Sequence, residues 1–256
     1  MTKEIKTALV TGSSSGVGAS TCLEFAQRGW NVVINYSRSK ASAFALKEAC
    51  EAFGIKALVC KANVANESDC ESMVSQAIKE FGRIDVLVNN AGTTKFCDYN
   101  NLEGLNENDF IDVYKVNVIG AYQMVKFAAP YLKKVQGSIV NVSSMSAISG
   151  VGSSIAYSSS KGALSTMTLS LAHALAPEVR VNGVCPGFIQ TRWTKDFLGE
   201  RYEDVKKKFE NAALVGKTSL PEDIAKGIVY LGADARTTSG QMLTIDGGQL
   251  VNQGKL

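Results

Sequence analysis

The chain has 256 residues, and its 27 basic and 24 acidic side chains leave a formal charge of only +3. That balance offers neither a basic stripe for nucleic acid nor a polybasic patch for a membrane surface, and no apolar run approaches the roughly 20 residues of a membrane-crossing helix. The chain is long enough to bury a sizeable core, so the expected partner is a small molecule, with no nucleic acid and no membrane.

Ahead of the first glycine, the only apolar run is Ala8, Leu9 and Val10, far short of a secretory core, so the protein is expected in the cytoplasm. Cys22, Cys50, Cys60, Cys70, Cys97 and Cys185 form no CxxC pair in a chain too large to need disulfide staples, and they read as free, mostly buried thiols. The NVS triplet at Asn141 is then a chance sequon. His173 is the only histidine, and one imidazole without a cysteine pair does not build a zinc site, so no metal is expected.

In chain order, TALV at 7–10 reads as a strand and about 16–28 as a helix; NVVIN at 31–35 is the second strand and SKASAFALKEACEAF the second helix. KALVCKANV is a third strand, SDCESMVSQAIKEF a third helix, and IDVLVNNAG a fourth strand running into turn residues. About 108–134 reads as one long helix, GSIVNVSS as the fifth strand, about 155–175 as a helix, VRVNGVCPG as the sixth strand and MLTIDGG as the seventh. Such alternation is the pattern of βα units around a parallel sheet. No repeat or Pro-rich linker interrupts it, so one domain over 1–256 is expected. Thr191 to Ser219 is more charged than its surroundings and is inserted ahead of the helix opened by Pro221. It reads either as a mobile lid over a substrate site, at about 191–219, or as a fixed pair of solvated helices.

The loop after the first strand, TGSSSGVG, has two readings. Gly12, Ser14 and Gly16 spell the GxSxG elbow of a serine hydrolase. An elbow serine needs a later histidine and an orienting acid, and only His173 is available, with no earlier strand to donate a second oxyanion N–H. The alternative is a phosphate cradle: Gly12 ends a strand, Gly16 and Gly18 open a helix, and the helix N-terminus presents free N–H groups to an anion. The spacing is GxxxGxG, not the general GxGxxG fingerprint, and no GK[ST] follows to make a P-loop. At the end of the second strand, where NAD sites place a carboxylate for the ribose, stands Asn35, with Arg38 three residues on. A guanidinium can pair with a 2′-phosphate that a carboxylate would repel. The expected cofactor is therefore NADP(H) in preference to NAD(H), a solvated surface arginine being the other reading of Arg38.

Tyr157 and Lys161 lie four apart on a predicted helix and share one face. A free tyrosine is a poor base at neutral pH, and a nearby ammonium is expected to lower its pKa. Together with the glycine loop, NNAG at 89–92, a serine pair after the fifth strand, and Cys185-Pro186-Gly187, this pair makes the chain resemble the short-chain dehydrogenase/reductase family over nearly its whole length. It is similar to the family's 3-oxoacyl-[acyl-carrier-protein] reductase-like and glucose-dehydrogenase-like members.

The resemblance implies an α/β, Rossmann-type doubly wound sheet of seven parallel strands with helices on both faces, and a catalytic group of Asn117, Ser144, Tyr157 and Lys161. In that group Ser144, thirteen residues before the tyrosine, orients the substrate carbonyl; Tyr157 exchanges the proton; Lys161 lowers the Tyr157 pKa and binds the nicotinamide ribose; and the Asn117 carbonyl holds a relay water. It places Gly12, Ser14, Ser15, Gly16, Val17, Gly18, Tyr36, Ser37 and Arg38 along the phosphates and adenine ribose. Asn63 and Val64 are placed at the adenine, Asn90, Ala91 and Gly92 beside the cofactor, and Pro186, Gly187, Ile189 and Thr191 at the nicotinamide end. Asn63 replaces the family's usual aspartate, its amide oxygen being able to accept the same bond, and Ser15 stands where some NADP-using members carry a basic residue.

The family's acyl-carrier-protein reductases usually follow NNAG with a short basic segment, whereas here it is TTKFCDYNNLEGLNENDF, longer, acidic and rich in Asn. The substrate edge, drawn from Phe96, Met145, Ile148, Val151, Trp193 and Phe197, reads as apolar. A ketone or secondary-alcohol oxidoreductase is expected, with 3-oxoacyl-[acyl-carrier-protein] reductase as the alternative, a non-catalytic nucleotide sensor on the same fold as a third reading, and, by family habit, a homotetramer.

Overall fold

The computed structural model describes residues 4–252; the ends of the expected 1–256 domain, residues 1–3 and 253–256, lie outside the described residues. Its framework is seven parallel strands, β1 (Thr7–Val10), β2 (Asn31–Tyr36), β3 (Ala57–Lys61), β4 (Val86–Asn89), β5 (Ser138–Val142), β6 (Arg180–Pro186) and β7 (Met242–Ile245), in the order β3-β2-β1-β4-β5-β6-β7. The register pairs Val10 with Ile34 on one side and with Val88 on the other, and Val142 with Val184. The order reverses between β1 and β4, and the crevice beyond the carboxyl ends of those strands is where a doubly wound sheet binds its ligand.

The central strands read as unbroken apolar runs because both faces are covered. Alternation inside each run sorts them onto two cores. Ala8, Val10, Val32, Ile34, Val86, Val88 and Val140 face α1 (Gly16–Gln27), α2 (Lys40–Glu51) and α10 (Pro221–Val229). Leu9, Val33, Leu87, Ile139 and Val181 face α3 (Glu67–Phe81), α5 (Ala121–Lys134) and α7 (Ile155–Ala174). Each of these aliphatic side chains, fully buried, contributes about 1.5–3 kcal/mol. Local signals agree with the packing: α3 opens with Glu67 and Asp69 in its first turn and ends at Gly82, whose φ of 73° suits a left-handed cap.

Two expected elements come out differently. The second strand runs one residue further, through Tyr36. The long helix over 108–134 is interrupted: α4 (Glu107–Tyr114) passes into a wider π-helical segment, Lys115–Gly120, before α5 begins. Periodicity cannot register one extra residue per turn, and such bulges cluster at functional sites. A Cβ on Gly120 would lie 2.7 Å from the Val64 carbonyl oxygen, so this segment closes on the chain leaving β3 only because no side chain intervenes.

The inserted segment is a helical pair, α8 (Arg192–Leu198) and α9 (Tyr202–Ala212), whose two ends are stapled by the Ile189–Ser219 bridge. The α9 helix is anchored by Phe188, which stacks on Phe209 at 4.9 Å and meets buried Tyr202 at 6.2 Å. By contrast, α8 buries none of its residues. A short helix, α6 (Ser146–Ser149), follows β5 and was not expected from periodicity.

Candidate active site

The glycine loop is braced by the end of β4. The Thr11 hydroxyl oxygen accepts from the N–H groups of Asn90 and Ala91, both at 3.0 Å, and the Asn90 amide donates to the carbonyls of Thr11 (2.9 Å) and Gly12 (3.1 Å). A Cβ on Gly12, whose φ is +59°, would lie 2.8 Å from Ala91 Cα, and one on Gly18 would lie 2.6 Å from Asn90 Nδ2 and 2.7 Å from Ser13 Cα. These two glycines let backbone lie against backbone.

Gly16 differs, because a Cβ there would meet only Thr191, at 3.6 Å. It borders an open cradle between the first turn of α1 and the start of α8. Ser15 is the N-cap of α1 with no side-chain bond to the backbone, so its side chain leaves the first-turn amides of Gly16, Val17 and Gly18 to a ligand. Ser14 sits half-buried on the same loop. His173, the partner a hydrolase would need, is sixteen residues beyond Tyr157 on α7, about 24 Å along the helix axis, and it is exposed.

Asn35 is not at a ribose position. It is buried; its amide oxygen accepts from the Gly12 N–H at 2.8 Å, and its nitrogen donates to the Ala62 carbonyl at 3.0 Å. The extra residue in β2 puts Asn35 under the loop and leaves Tyr36 as the strand end, with Ser37 and Arg38 exposed beyond it. Asn63 is exposed, and its amide oxygen already accepts from the Ala65 N–H at 3.1 Å in a local turn, so only its second lone pair is left for an adenine. Val64 beside it is buried.

On the other side of β4 lie the sequence-predicted reaction groups. The Ser154 hydroxyl caps α7 by accepting from the Tyr157 N–H at 3.1 Å, and one turn later Lys161 Nζ donates to the Val142 carbonyl at 2.8 Å, 5.7 Å from the Tyr157 ring centre. The serine pair divides its work. Ser143 donates to the Lys161 carbonyl at 2.9 Å and pairs with Ser165, whereas the Ser144 hydroxyl meets Ser146 and hydrogen-bonds the Tyr157 phenol. Asn117, in the π-helical segment, is buried and clamps Thr93 through both amide ends, at 2.8 and 2.9 Å, while donating to Ser160 on α7. A Cβ on Gly92 would lie 3.5 Å from both Asn117 Oδ1 and Lys161 Nζ, which brings NNAG and the lysine to one place.

One electrostatic expectation is reversed. Burial is the largest influence on Tyr157 and pushes its pKa above the ordinary tyrosine value, with the Ser144 hydroxyl acting in the opposite direction. The Lys161 ammonium, 5.7 Å from the Tyr157 ring centre, is bonded to the Val142 carbonyl. Burial instead pushes Lys161 down to about 8.

At the end of β6, Pro186 holds the chain after β5 through its carbonyl, 2.9 Å from the Met145 N–H. Gly187 packs against the C-terminal turn, where a Cβ would lie 2.9 Å from Asp246 Cα. Ile189 pairs with Ser219, and Thr191 caps α8 by accepting from the Thr194 N–H. The expected substrate residues separate. Phe96 stacks on Phe197 and meets Trp193 at 5.8 Å, so the loop after β4 touches α8. Ile148 instead lines a hollow of about 620 Å³ with Thr244, Asp246, Leu250 and Val251, and Val151 is exposed. The residues that sequence reasoning did not single out, Thr11, Ser154 and Asn90's bonds to the loop, act by hydrogen bonds across distant segments; only the serine three residues before Tyr157 carried a local signal, that of an N-cap.

The cradle at Gly16 and the uncapped α1 N-terminus fit the diphosphate of a dinucleotide, and residues 35–38 hold no carboxylate to repel a 2′-phosphate. Among the described residues no cluster of three metal-ligating side chains occurs, and no helix is long and apolar enough to cross a membrane. The family model for short chain dehydrogenase matches residues 6–201. The chain is 38% identical over 252 residues to ketoacyl reductase 2 of the granaticin polyketide synthase of Streptomyces violaceoruber, covering 96% of each. It is 36% identical over 257 residues to an L-rhamnose 1-dehydrogenase (NAD(P)(+)) of a Sphingomonas species, covering 97% of this chain and 98% of the relative. It is 33% identical over 249 residues to a 3-oxoacyl-[acyl-carrier-protein] reductase of Staphylococcus aureus, covering 96% and 98%. A solved structure of a protein from Burkholderia xenovorans, described as a short-chain dehydrogenase/reductase, superposes with a TM-score of 0.91 at 36% identity over 97% of this chain and 99% of that one. The chain therefore belongs to the short-chain dehydrogenase/reductase family, oxidoreductases that act on alcohol and ketone groups with an NAD(P) nucleotide.

Proposed function

We propose that this protein is an NADP(H)-dependent oxidoreductase that interconverts a ketone and a secondary alcohol. The observation that carries the reading is the meeting of Asn117 and Lys161 at Gly92, with the Tyr157 ring 5.7 Å from Lys161 and the Ser144 hydroxyl on the Tyr157 phenol. When bound, the dinucleotide supplies the hydride chemistry; the chain supplies position and proton. Ser144, whose hydroxyl is not committed to the fold as that of Ser143 is, orients the substrate oxygen. Tyr157, kept protonated by burial, gives its proton to that oxygen in reduction and takes one back in oxidation. Lys161 holds its place through Val142 and faces the ribose side, and Asn117, in the widened helix, holds the relay water by its backbone carbonyl.

Gly12, Ser14, Ser15, Gly16, Val17 and Gly18 hold the phosphates, with Asn63, Val64, Asn90, Ala91 and Gly92 along one side and Pro186, Gly187, Ile189 and Thr191 at the nicotinamide end. The NADP assignment rests on Tyr36, Ser37 and Arg38. Arg38 is exposed just past β2 and joins no ion pair among the described residues. The aromatic contact of Phe96 with Trp193 and Phe197 supports an apolar substrate edge under a lid at 191–219, with α8 as its moving part. Ile119, Tyr122 and Leu169, each about half exposed, support a homo-oligomer, which light scattering would read as a tetramer. Cytoplasmic residence accords with the six free thiols.

The full-length similarity to ketoacyl reductases favours acyl-carrier-protein thioesters as the second substrate reading. A panel of ketones, secondary alcohols and an acyl-carrier-protein thioester, each run with NADPH and NADH while cofactor absorbance is followed, tests both. Turnover of simple ketones with NADPH is expected. Turnover of the thioester alone selects the second reading, and a clear preference for NADH removes the NADP assignment.

A further inference from the structure

The loop after β4, residues 93–101, is strapped at two ends to the machinery just described. At one end Thr93 lies in the double clamp of Asn117. At the other, Thr94 Oγ1 and Ser153 Oγ are 2.7 Å apart, the Cys97 N–H donates to the Ser153 carbonyl at 3.0 Å, and the Tyr99 hydroxyl reaches the start of α7. That hydroxyl lies 3.1 Å from the Ser154 carbonyl and 2.6 Å from Ser158 Oγ. A phenol has one proton, so the two contacts have one consistent assignment: Tyr99 donates to the Ser154 carbonyl and accepts from Ser158.

Both partners bear on Tyr157. Ser154 is fully buried and caps the Tyr157 N–H with its hydroxyl, while its carbonyl accepts the first regular α7 bond, from the Ser158 N–H at 3.0 Å. Ser158, also buried, packs where a Cβ on Gly152 would sit, 3.0 Å away, and the same Gly152 abuts Ser146, the partner of Ser144. The loop that carries Phe96 toward the substrate side is thus fastened to the helical turn that carries the proton donor.

We propose that Tyr99 is a positioning residue. It couples the seating of the loop at 93–101 to the first turn of α7 and so sets the placement of Tyr157. The role in turnover rests on the reading of Tyr157 as acid/base; the coupling does not. Removing the Tyr99 hydroxyl strands a buried serine hydroxyl and releases half of the Ser154 carbonyl's bonding, which loosens the turn.

The test uses full-length Tyr99→Phe, Ser158→Ala and the double variant. In the protein alone, amide exchange at Tyr157 and Ser158 is expected to quicken about tenfold in Tyr99→Phe, with the far end of α7 unchanged. In turnover, kcat is expected to fall about tenfold, since small misplacements of a reacting group are costly in rate, while the cofactor Kd stays within about twofold. The double variant is expected to lose no more than the worse single, because both remove one shared contact. Wild-type exchange rates in Tyr99→Phe overturn the coupling, and so does additivity of the two singles. Faster exchange with unchanged kcat overturns the positioning role. If Tyr99→Phe does not fold, Ser158→Ala alone carries the same exchange and kcat expectations. A wild-type enzyme that turns over no carbonyl or alcohol overturns the functional reading and, with it, the role in turnover. The exchange result tells that failure apart from failure of the coupling.

Discussion

The Lys161 ammonium donates a 2.8 Å hydrogen bond to the carbonyl of Val142, the last residue of β5. The bond ties this turn of α7 to the sheet and holds the ammonium 5.7 Å from the Tyr157 ring centre. Lysine is held here by backbone, in a place where its charge is poorly solvated.

That placement has a consequence for stability against pH. Lys161 titrates near 8 in the folded protein against an ordinary 10.5, so below about pH 8 both states carry the charge and burial penalises the folded one. As pH rises toward 10 the folded state sheds its proton first, the unfolded state holds more protons, and the penalty fades. Lys161→Met removes this titration. The Tm of the variant minus that of the wild type is expected to be larger at pH 7 than at pH 10, by an amount on the order of 2–3 kcal/mol of stability. Thermal melts at both pH values check it, and a flat or rising difference would sink it.

Two glycines of one loop should respond differently. Gly18→Ala drives a methyl into Ser13 backbone and the Asn90 amide and is expected to destabilise the fold by about 1–3 kcal/mol. Gly16→Ala makes only an ordinary van der Waals contact with Thr191, so its stability loss should stay near the roughly 1 kcal/mol of its left-handed φ, while the methyl fills the cradle and lowers NADPH affinity at least tenfold. Denaturant melts and fluorescence titration of the two variants separate these outcomes; equal affinity losses without the stability difference would count against the cradle.

Tyr157→Phe deletes the proton donor and keeps the ring. Turnover is expected to fall by about 10²–10⁴-fold or more, with cofactor affinity nearly unchanged because Lys161 keeps its bond to Val142. A variant with wild-type kcat would remove Tyr157 from the reaction.

With NADPH as the proposed cofactor, Arg38→Asp sets a carboxylate against its 2′-phosphate. A charge-assisted pair of about 1.5–3 kcal/mol corresponds to roughly a 10–100-fold loss in NADPH kcat/KM, with NADH little affected. Equal effects on both cofactors would mean that Arg38 is only a solvated surface residue.

The residues alone determined the fold class and the family. Strong apolar runs such as TALV and SIVNV, helical spacing from 155 onward, and glycine placement are local signals, each set by burial or by backbone conformation within a few residues. What only the tertiary structure decided depends on contacts between segments far apart in the chain. Asn35 reads only as a missing carboxylate until the structure shows its amide holding the Gly12 N–H and the Ala62 carbonyl. A single long helix over 108–134 hides the π-helical segment that presents Asn117. Tyr157 reads as a phenol with a lowered pKa until its burial, which acts the other way, is seen. Desolvation and direction of a side chain are properties of its neighbours in space, and in a parallel sheet those neighbours arrive from strands tens of residues away.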